Sequence, residues 1–301
     1  MILGFSTLAS SSSGNCYYIK SETTSILVDV GISAAQIVKR LDALEVSTQE
    51  IAGVFLTHEH VDHVKSVSAF HKKAPAAWFI ASQGTVSGLD EKVRAAIKPQ
   101  LTIVAPGCCD GTGCRDLMIG DIKVHAFCLS HDAAEPTAYT FSKDGRKIAI
   151  VTDTGTVTEE IYQALKDADL LVLEANHEEN ILLYGRYPYQ VKRRILSDLG
   201  HLSNEAAGRC LARVLRERRE RDSGADCGSG ANSESGANRE NGNGTNRVPR
   251  VLLAHLSREN NTPQQAFLTV RNVLEEEDFY IGKDLKMDVL GPDPVPMLME
   301  V

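Results

Sequence analysis

The 301-residue chain lacks most of what would take it out of the class of ordinary soluble globular proteins. No apolar run approaches the roughly 20 residues that span a bilayer. No Lys or Arg precedes Lys20, so the start has no charged region of the kind that opens a secretory signal. Ser13-Gly14-Asn15-Cys16 has the outline of a lipoprotein cleavage box, but asparagine precedes the cysteine and the basic start is missing. These absences predict a cytoplasmic protein. A disulfide framework is excluded as well, because seven cysteines are an odd number scattered over a large chain, which fits thiols in a reducing compartment. Cys108-Cys109-Asp110-Gly111-Thr112-Gly113-Cys114 has no matching Cys or His pair nearby and reads as a Gly-rich loop rather than a thiolate metal knuckle. Positive charge is in deficit: 32 Lys and Arg against 40 Asp and Glu leave a net charge of −8. Any contact with a polyanion must therefore come from a local basic patch.

Histidine is also scarce, nine residues in all, yet three of them fall in Thr57-His58-Glu59-His60-Val61-Asp62-His63. This string follows the apolar run Ile51-Ala52-Gly53-Val54-Phe55-Leu56 and packs three imidazoles and a carboxylate into a strand's end. Neutral imidazole and carboxylate are ligands for Zn²⁺ or Mn²⁺, and i, i+2 spacing on extended backbone points His58 and His60 the same way. Asp62 and His63 fall where the chain turns into a helix and can face a second ion beside the first. The string predicts a metal site for two divalent ions.

Several other short apolar runs end on polar residues: Ile26-Leu27-Val28 on Asp29, Ile148-Ala149-Ile150-Val151 before Asp153, Leu170-Leu171-Val172-Leu173 on Glu174, Val251-Leu252-Leu253 before His255. Such runs fit strands buried on both faces, with their polar ends gathered along one sheet edge. Helices are expected over Ile32 to Leu44, after Thr158, from Ser203 to about Arg221, and from Thr262-Pro263 through about Leu274. The fold class predicted is α/β, two central sheets flanked by helices. Residues 222–247, built from Gly, Ser, Asn, Ala and charge, are expected to be a disordered low-complexity insertion inside one domain spanning residues 1–301.

A dinuclear site needs more ligands than the heptapeptide supplies, and His131, Asp153 and His255 are the next candidates. Taken in order and in strand-end placement, these residues resemble the five-motif pattern of the metallo-β-lactamase fold hydrolases, an αββα sandwich of two mixed sheets between helices. The resemblance implies that His58, His60, His131 and Asp153 hold one ion and Asp62, His63, Asp153 and His255 the other. Asp153 would bridge them, and Asp29 would orient the ligand loop without binding metal. Leu173-Glu174-Ala175-Asn176-His177 and Gly200-His201-Leu202-Ser203-Asn204 resemble segments that ribonuclease Z-like phosphodiesterases place beside the scissile phosphate. This implies that Glu174 and His201 stabilise the transition state and protonate the leaving oxygen, with Asp62 and Asp153 orienting the nucleophile. His71 and His125 match no motif and read as surface or packing residues.

Several further segments carry non-ligand residues that resemble the bacterial WalJ (YycJ) group of this fold. They are Ser11-Ser12-Ser13-Gly14-Asn15-Cys16, Arg194-Ile195-Leu196-Ser197-Asp198 and Leu253-Ala254-His255-Leu256-Ser257-Arg258-Glu259-Asn260-Asn261. The group resemblance implies a metal-dependent nuclease acting 5′ to 3′ on DNA through a hydroxide held between the ions. Gly185-Arg186-Tyr187-Pro188-Tyr189-Gln190-Val191-Lys192-Arg193-Arg194 has four basic residues, no acidic ones and two interleaved tyrosines. Arg186, Lys192, Arg193 and Arg194 are thus candidates to contact phosphates, with a solvated helix face as the competing reading. Asn15, behind the Ser10 to Gly14 run, and His177 are further candidates for substrate contact. Two alternatives stay open: a small-substrate hydrolase of the same fold, acting on a cyclic phosphodiester, a thioester or a lactam, and a non-catalytic, metal-holding regulatory partner.

Overall fold

The computed structural model describes residues 3–106, 115–225, 247–291 and 293–301. Its first half runs β1 (Gly4–Ala9), β2 (Cys16–Lys20), β3 (Ser25–Val28), α1 (Ala34–Asp42), β4 (Ile51–Phe55), α2 (Val61–Val64), α3 (Val67–His71), β5 (Trp78–Ser82), α4 (Gln83–Gly88), α5 (Glu91–Ile97) and β6 (Leu101–Val104). The second half runs β7 (Asp116–Ile119), β8 (Ile122–Cys128), β9 (Thr137–Lys143), β10 (Arg146–Val151), α6 (Glu159–Leu165), β11 (Leu170–Glu174), α7 (Glu179–Tyr184), α8 (Tyr189–Ile195), α9 (Asn204–Ala225), β12 (Arg250–Ala254), α10 (Pro263–Glu276), β13 (Lys286–Val289) and β14 (Met299–Glu300).

The strands form two seven-stranded mixed sheets, in the orders β14-β1-β2-β3-β4-β5-β6 and β13-β12-β11-β10-β9-β8-β7. In the first, three antiparallel pairings are followed by three parallel ones, and in the second three parallel pairings are followed by three antiparallel ones. Alternation along the strands sorts their side chains between layers. Ile26 and Val28 of β3, and Leu170 and Val172 of β11, join one apolar cluster between the sheets. Leu27 joins a second cluster with Ile37 and Leu41 of α1, and Leu171 and Leu173 a third with Ile161 of α6, Leu211 of α9 and Val270 of α10. Helices thus cover both outer faces, as predicted.

Local chemistry explains the element boundaries. Ser33 caps α1 with a reciprocal bond from Gln36, and Thr158 caps α6 ahead of Glu159 and Glu160. Thr262 caps α10 by accepting from Gln265 N, with Pro263 in its first turn. The Ser203 hydroxyl accepts from Ala206 N at the start of α9. That helix runs beyond its expected end at Arg221 as far as Ala225, so the first residues of the supposed insertion are helical. The rest of that expectation, and the Cys108-Cys109-Cys114 loop, lie outside the described residues. No helix among the described residues is long and apolar enough to cross a membrane.

Candidate metal centre

The parallel strands aim their carboxyl ends at one edge of the sandwich, where open α/β sheets bind ligands. Asp29 follows β3, the heptapeptide follows β4, Asp153 follows β10, Glu174 ends β11 and His255 follows β12. Asp29, Asp153 and His255 each take the left-handed backbone, with φ of 58°, 62° and 55°. This region is uncommon for a residue with a Cβ and gathers at functional sites, held there by the surrounding structure.

The heptapeptide folds as its spacing predicts. His58 and His60 place their ring centroids 4.6 Å apart, and α2 begins immediately after, carrying Asp62 and His63 in its single turn. Glu59 points elsewhere and accepts from Ala134 N at 2.8 Å, tying this loop to the His131 loop. His131 sits 5.1 Å from both His58 and His60, and His63 lies 4.1 Å from His58, centroid to centroid. Ligand atoms of His58, His60 and His131 fall within 4.8 Å of one another. So do those of His58, His63 and Asp153, and those of Asp62, His63 and His255.

Four of the imidazoles are fixed in the same sense. The Nδ1 of His58 meets Thr57 Oγ1 at 3.0 Å, that of His63 meets Asp29 Oδ2 at 2.7 Å, that of His131 meets Gly200 O at 2.9 Å, and that of His255 meets Glu174 Oε1 at 2.8 Å. Each ring therefore turns its Nε2 away from its Nδ1 anchor, the arrangement by which metal-binding histidines are oriented, although His63 Nε2 also lies 3.1 Å from Asn15 Nδ2. His58 Nε2, His131 Nε2, His255 Nε2 and Asp153 Oδ2 are buried without a hydrogen-bond partner among the described residues. Buried polar atoms seldom go unpaired, so four of them within these clusters of donor atoms fit a cation site. An all-nitrogen-and-oxygen donor set of this kind suits a divalent ion.

Electrostatics agree with a cation site. Burial pushes the Asp153 carboxyl up, but His255 and His63 outweigh it and hold it well below the usual carboxylate range. The same holds for Asp62, where His255 and His63 again prevail over burial. Burial lowers the His58 imidazole, and its neighbours His63 and His131 add to that, keeping it in the neutral form a ligand needs.

Asp29 is fully buried behind His63, accepting from Thr57 N at 2.9 Å and from Thr57 Oγ1 at 2.9 Å. Glu174 is also fully buried. Its Oε2 accepts from Thr154 N at 3.0 Å and Leu202 N at 3.1 Å, while Oε1 lies 2.8 Å from the Nδ1 atoms of both His201 and His255. Burial raises its pKa, yet His201 and His255 bring it down to about 2. One carboxylate thus braces two histidines, where sequence reasoning paired it only with His201. Glu174→Gln is expected to weaken metal binding roughly 10- to 100-fold, the usual scale for a group that orients a ligand. Competition titration against a chelating dye would measure it, and wild-type affinity would show that the carboxylate does not hold His255.

The remaining predicted residues fare differently. Asn15 is fully buried and not open to a substrate strand; its Nδ2 lies 3.1 Å from His63 Nε2. His177 is buried with neither ring nitrogen bonded, and burial lowers its pKa to about 4, so it does not face the surface as a substrate contact would. Lys192 donates to Leu183 O and Gly185 O, both at 2.8 Å, closing the end of α7 instead of standing free for a phosphate. Arg194 forms a two-pronged pair with Asp132, the residue after His131. Arg186 and Arg193 are exposed. His71 packs on Phe79 and His125 pairs with Asp116, in keeping with their assignment to packing and surface.

Sequence reasoning missed the polar scaffold behind the centre. Thr57 links Asp29, His58 and His63 through one hydroxyl. Ser10 accepts from His255 N at 3.0 Å, Asn176 donates to His255 O at 2.9 Å, and Asn261 donates to Ala175 O and Asn176 O. The available signal was adjacency: each lies within a motif already singled out.

A sandwich of two mixed sheets whose strand ends converge on clustered imidazoles and carboxylates defines a metal-dependent hydrolase of the metallo-β-lactamase fold. Residues 24–219 match the family model described as a beta-lactamase superfamily domain. The chain is 33% identical to exodeoxyribonuclease YycJ of Bacillus anthracis over 97% of each chain. It is 31% identical to exodeoxyribonuclease WalJ of Streptococcus pneumoniae serotype 2 over 99% of this chain and 97% of that one. Among solved structures, the metallo-beta-lactamase fold protein YhfI from Bacillus subtilis superposes with a TM-score of 0.63, covering 99% of this chain and 98% of that chain at 13% identity. The chain therefore belongs to the metallo-β-lactamase superfamily, in the group of the WalJ and YycJ proteins.

Proposed function

We propose that the protein is a two-metal phosphodiesterase that shortens DNA from an end, in the 5′ to 3′ direction. The observation that carries the reading is His201. Its side chain is 15% exposed, whereas His58, His63, His131 and His255 are closed to solvent, and Glu174 grips its Nδ1 beside the ligand cluster. Burial lowers the His201 pKa, but Glu174 and Asp153 prevail and raise it, which favours the protonated ring. A protonated imidazole at the rim of such a centre is what cleavage to an alkoxide leaving group requires. The names of the two full-length relatives, both exodeoxyribonucleases, support DNA as the substrate.

One ion would be held by His58, His60, His131 and Asp153 and the other by Asp62, His63, Asp153 and His255, with Zn²⁺ and Mn²⁺ both suited to the donors. Divalent ions so held supply Lewis acidity, lowering the pKa of water from 15.7 towards about 7 and taking up negative charge on the phosphate. Asp62 and Asp153 would orient the attacking water. His201 then gives its proton to the departing oxygen, and Glu174 keeps the ring turned to do so.

An assay with end-labelled single- and double-stranded DNA and RNA under Zn²⁺, Mn²⁺ and Mg²⁺ tests the substrate. Mononucleotide release from DNA 5′ ends is expected; indifference to nucleic acid would sink the reading in favour of a small-substrate hydrolase. His201→Ala tests the proton donor. It is expected to slow DNA cleavage by about 10²-fold while sparing thymidine 5′-p-nitrophenyl phosphate, whose leaving group needs no proton. Equal losses on both substrates would assign His201 another role.

A further inference from the structure

The geometry points to a strand-binding platform on α7 and α8, next to the metal centre, that stacks unpaired bases of a single-stranded nucleic acid on Tyr184 and Tyr189 and takes a phosphate on Arg193. This inference rests on the nuclease reading and goes beyond it by naming the form of nucleic acid and the surface that holds it.

Large apolar and aromatic side chains are exposed here at unusual density. Tyr184 is 89% exposed and Tyr189 75%, and Leu183, Leu196 and Leu199 are also open to solvent. A groove of about 480 Å³ runs between Leu183, Tyr189, Arg193 and Leu196. Clustered exposure of this kind marks a binding surface rather than random surface composition.

Charge decides what the surface fits. No Asp or Glu occurs from Asn180 to Ser197, in a chain whose net charge is −8. Of its four cations, Lys192 caps α7 and Arg194 is neutralised by Asp132. Arg186 and Arg193 are exposed, and no ion pair to either occurs among the described residues. Tyr189 and Arg193 stand one helical turn apart, so a ring face and a guanidinium lie on the same side of α8. Aromatic faces beside backbone cations are the means by which proteins hold unpaired strands, because every base has a face to stack and a duplex keeps its faces covered.

Position ties the platform to the chemistry. Arg194 grips Asp132, whose Oδ1 is 3.4 Å from His131 Nε2. Asp132 N donates to Leu199 O, the Ser130 hydroxyl donates to Asp198 O and His131 Nδ1 meets Gly200 O, so the loop leaving α8 is laced to a ligand loop. Tyr189 lies five residues before Arg194, about 7.5 Å along the helix axis, or about two nucleotides of a stacked strand. A strand on α8 thus reaches the ligand cluster within a few nucleotides.

The test compares wild type with Tyr184→Ala/Tyr189→Ala and with Arg193→Ala on a fluorescein-labelled single-stranded 20-mer and on thymidine 5′-p-nitrophenyl phosphate, with sedimentation run on each. The kcat/KM on the 20-mer relative to the ester is expected to fall about tenfold or more for the tyrosine pair. Arg193→Ala is expected to flatten the log–log salt dependence of 20-mer binding by about 0.7. Because the ester tracks the metal centre, a misfolded variant does not mimic this change of ratio. A wild type that degrades the 20-mer, with variants of unchanged ratio and slope, overturns the platform and leaves the nuclease reading standing. A wild type that cleaves the ester and neither binds nor cuts the 20-mer overturns the platform, and one that also leaves duplex DNA uncut overturns the nuclease reading itself. A wild-type dimer that the tyrosine variants convert to monomers, with the ratio unmoved, assigns the surface to a second copy of the chain.

Discussion

Asp153→Asn is expected to lower turnover by more than about 10³-fold, beyond the loss of a single transition-state hydrogen bond, while leaving the chain folded. Asparagine has the shape of aspartate and tolerates the left-handed backbone that Asp153 adopts, so neither a cavity nor new strain accompanies the change. What disappears is the charge. Asp153 Oδ2 is 3.3 Å from His63 Nε2, and Oδ1 is 3.4 Å from His255 Nδ1 and 4.0 Å from His131 Nε2, so this carboxylate faces both groups of imidazoles at once. An amide offers one neutral oxygen where two charged ones stood. Metal content by elemental analysis, measured beside kcat/KM, separates loss of an ion from loss of orientation. Wild-type turnover with full metal content would show that Asp153 does not join the two halves of the centre.

Gly31→Ala is expected to destabilise the fold by roughly 3 kcal/mol or more, at or above the upper end of overpacking costs, and to displace Asp62. A Cβ built on Gly31 would lie 1.6 Å from Asp62 O, 2.3 Å from Asp62 C and 2.8 Å from Asn15 N. All three are backbone atoms, so no side chain can rotate out of the way. The same atoms are hydrogen-bonded in place: Asn15 N donates to Asp62 O at 2.9 Å and Gly31 N to Asn15 O at 2.8 Å. Three segments of chain cross with no room for a methyl group, and relief must come at the expense of the ligand helix. Gly291→Ala is the control, since nothing among the described residues lies within 4 Å of its added Cβ. Denaturation midpoints of the two variants check the contrast, and equal midpoints would contradict the close crossing.

The sandwich and most of the centre are legible in the sequence because both depend on local pattern. Strands buried on two faces are written as apolar runs, and β3, β4, β10, β11 and β12 all appear where such runs end on a polar residue. The edge strands β7 and β13 escape notice because they are short and partly exposed, with charge at Asp116, Lys286 and Asp288, which hides any apolar run. What the sequence cannot express is commitment. Lys192, Arg193 and Arg194 are three adjacent cations of one helix, yet only in the fold does one cap a helix, one pair with Asp132 and one have no ion pair among the described residues. Likewise Glu174 can be matched to His201 by motif, but its second duty towards His255 depends on β11 and β12 lying side by side in register, Glu174 opposite Ala254.

The origin of the imidazoles has a further consequence. His58, His60 and His63 leave the first sheet through β4, whereas His131, Asp153 and His255 leave the second. An ion gripped by both groups is a rivet across the seam of the sandwich, and at a hundredfold excess over its dissociation constant it adds about 2.7 kcal/mol to the folded state. Removing such an ion would then cost stability as well as chemistry, and a melting temperature that falls on chelation would show it.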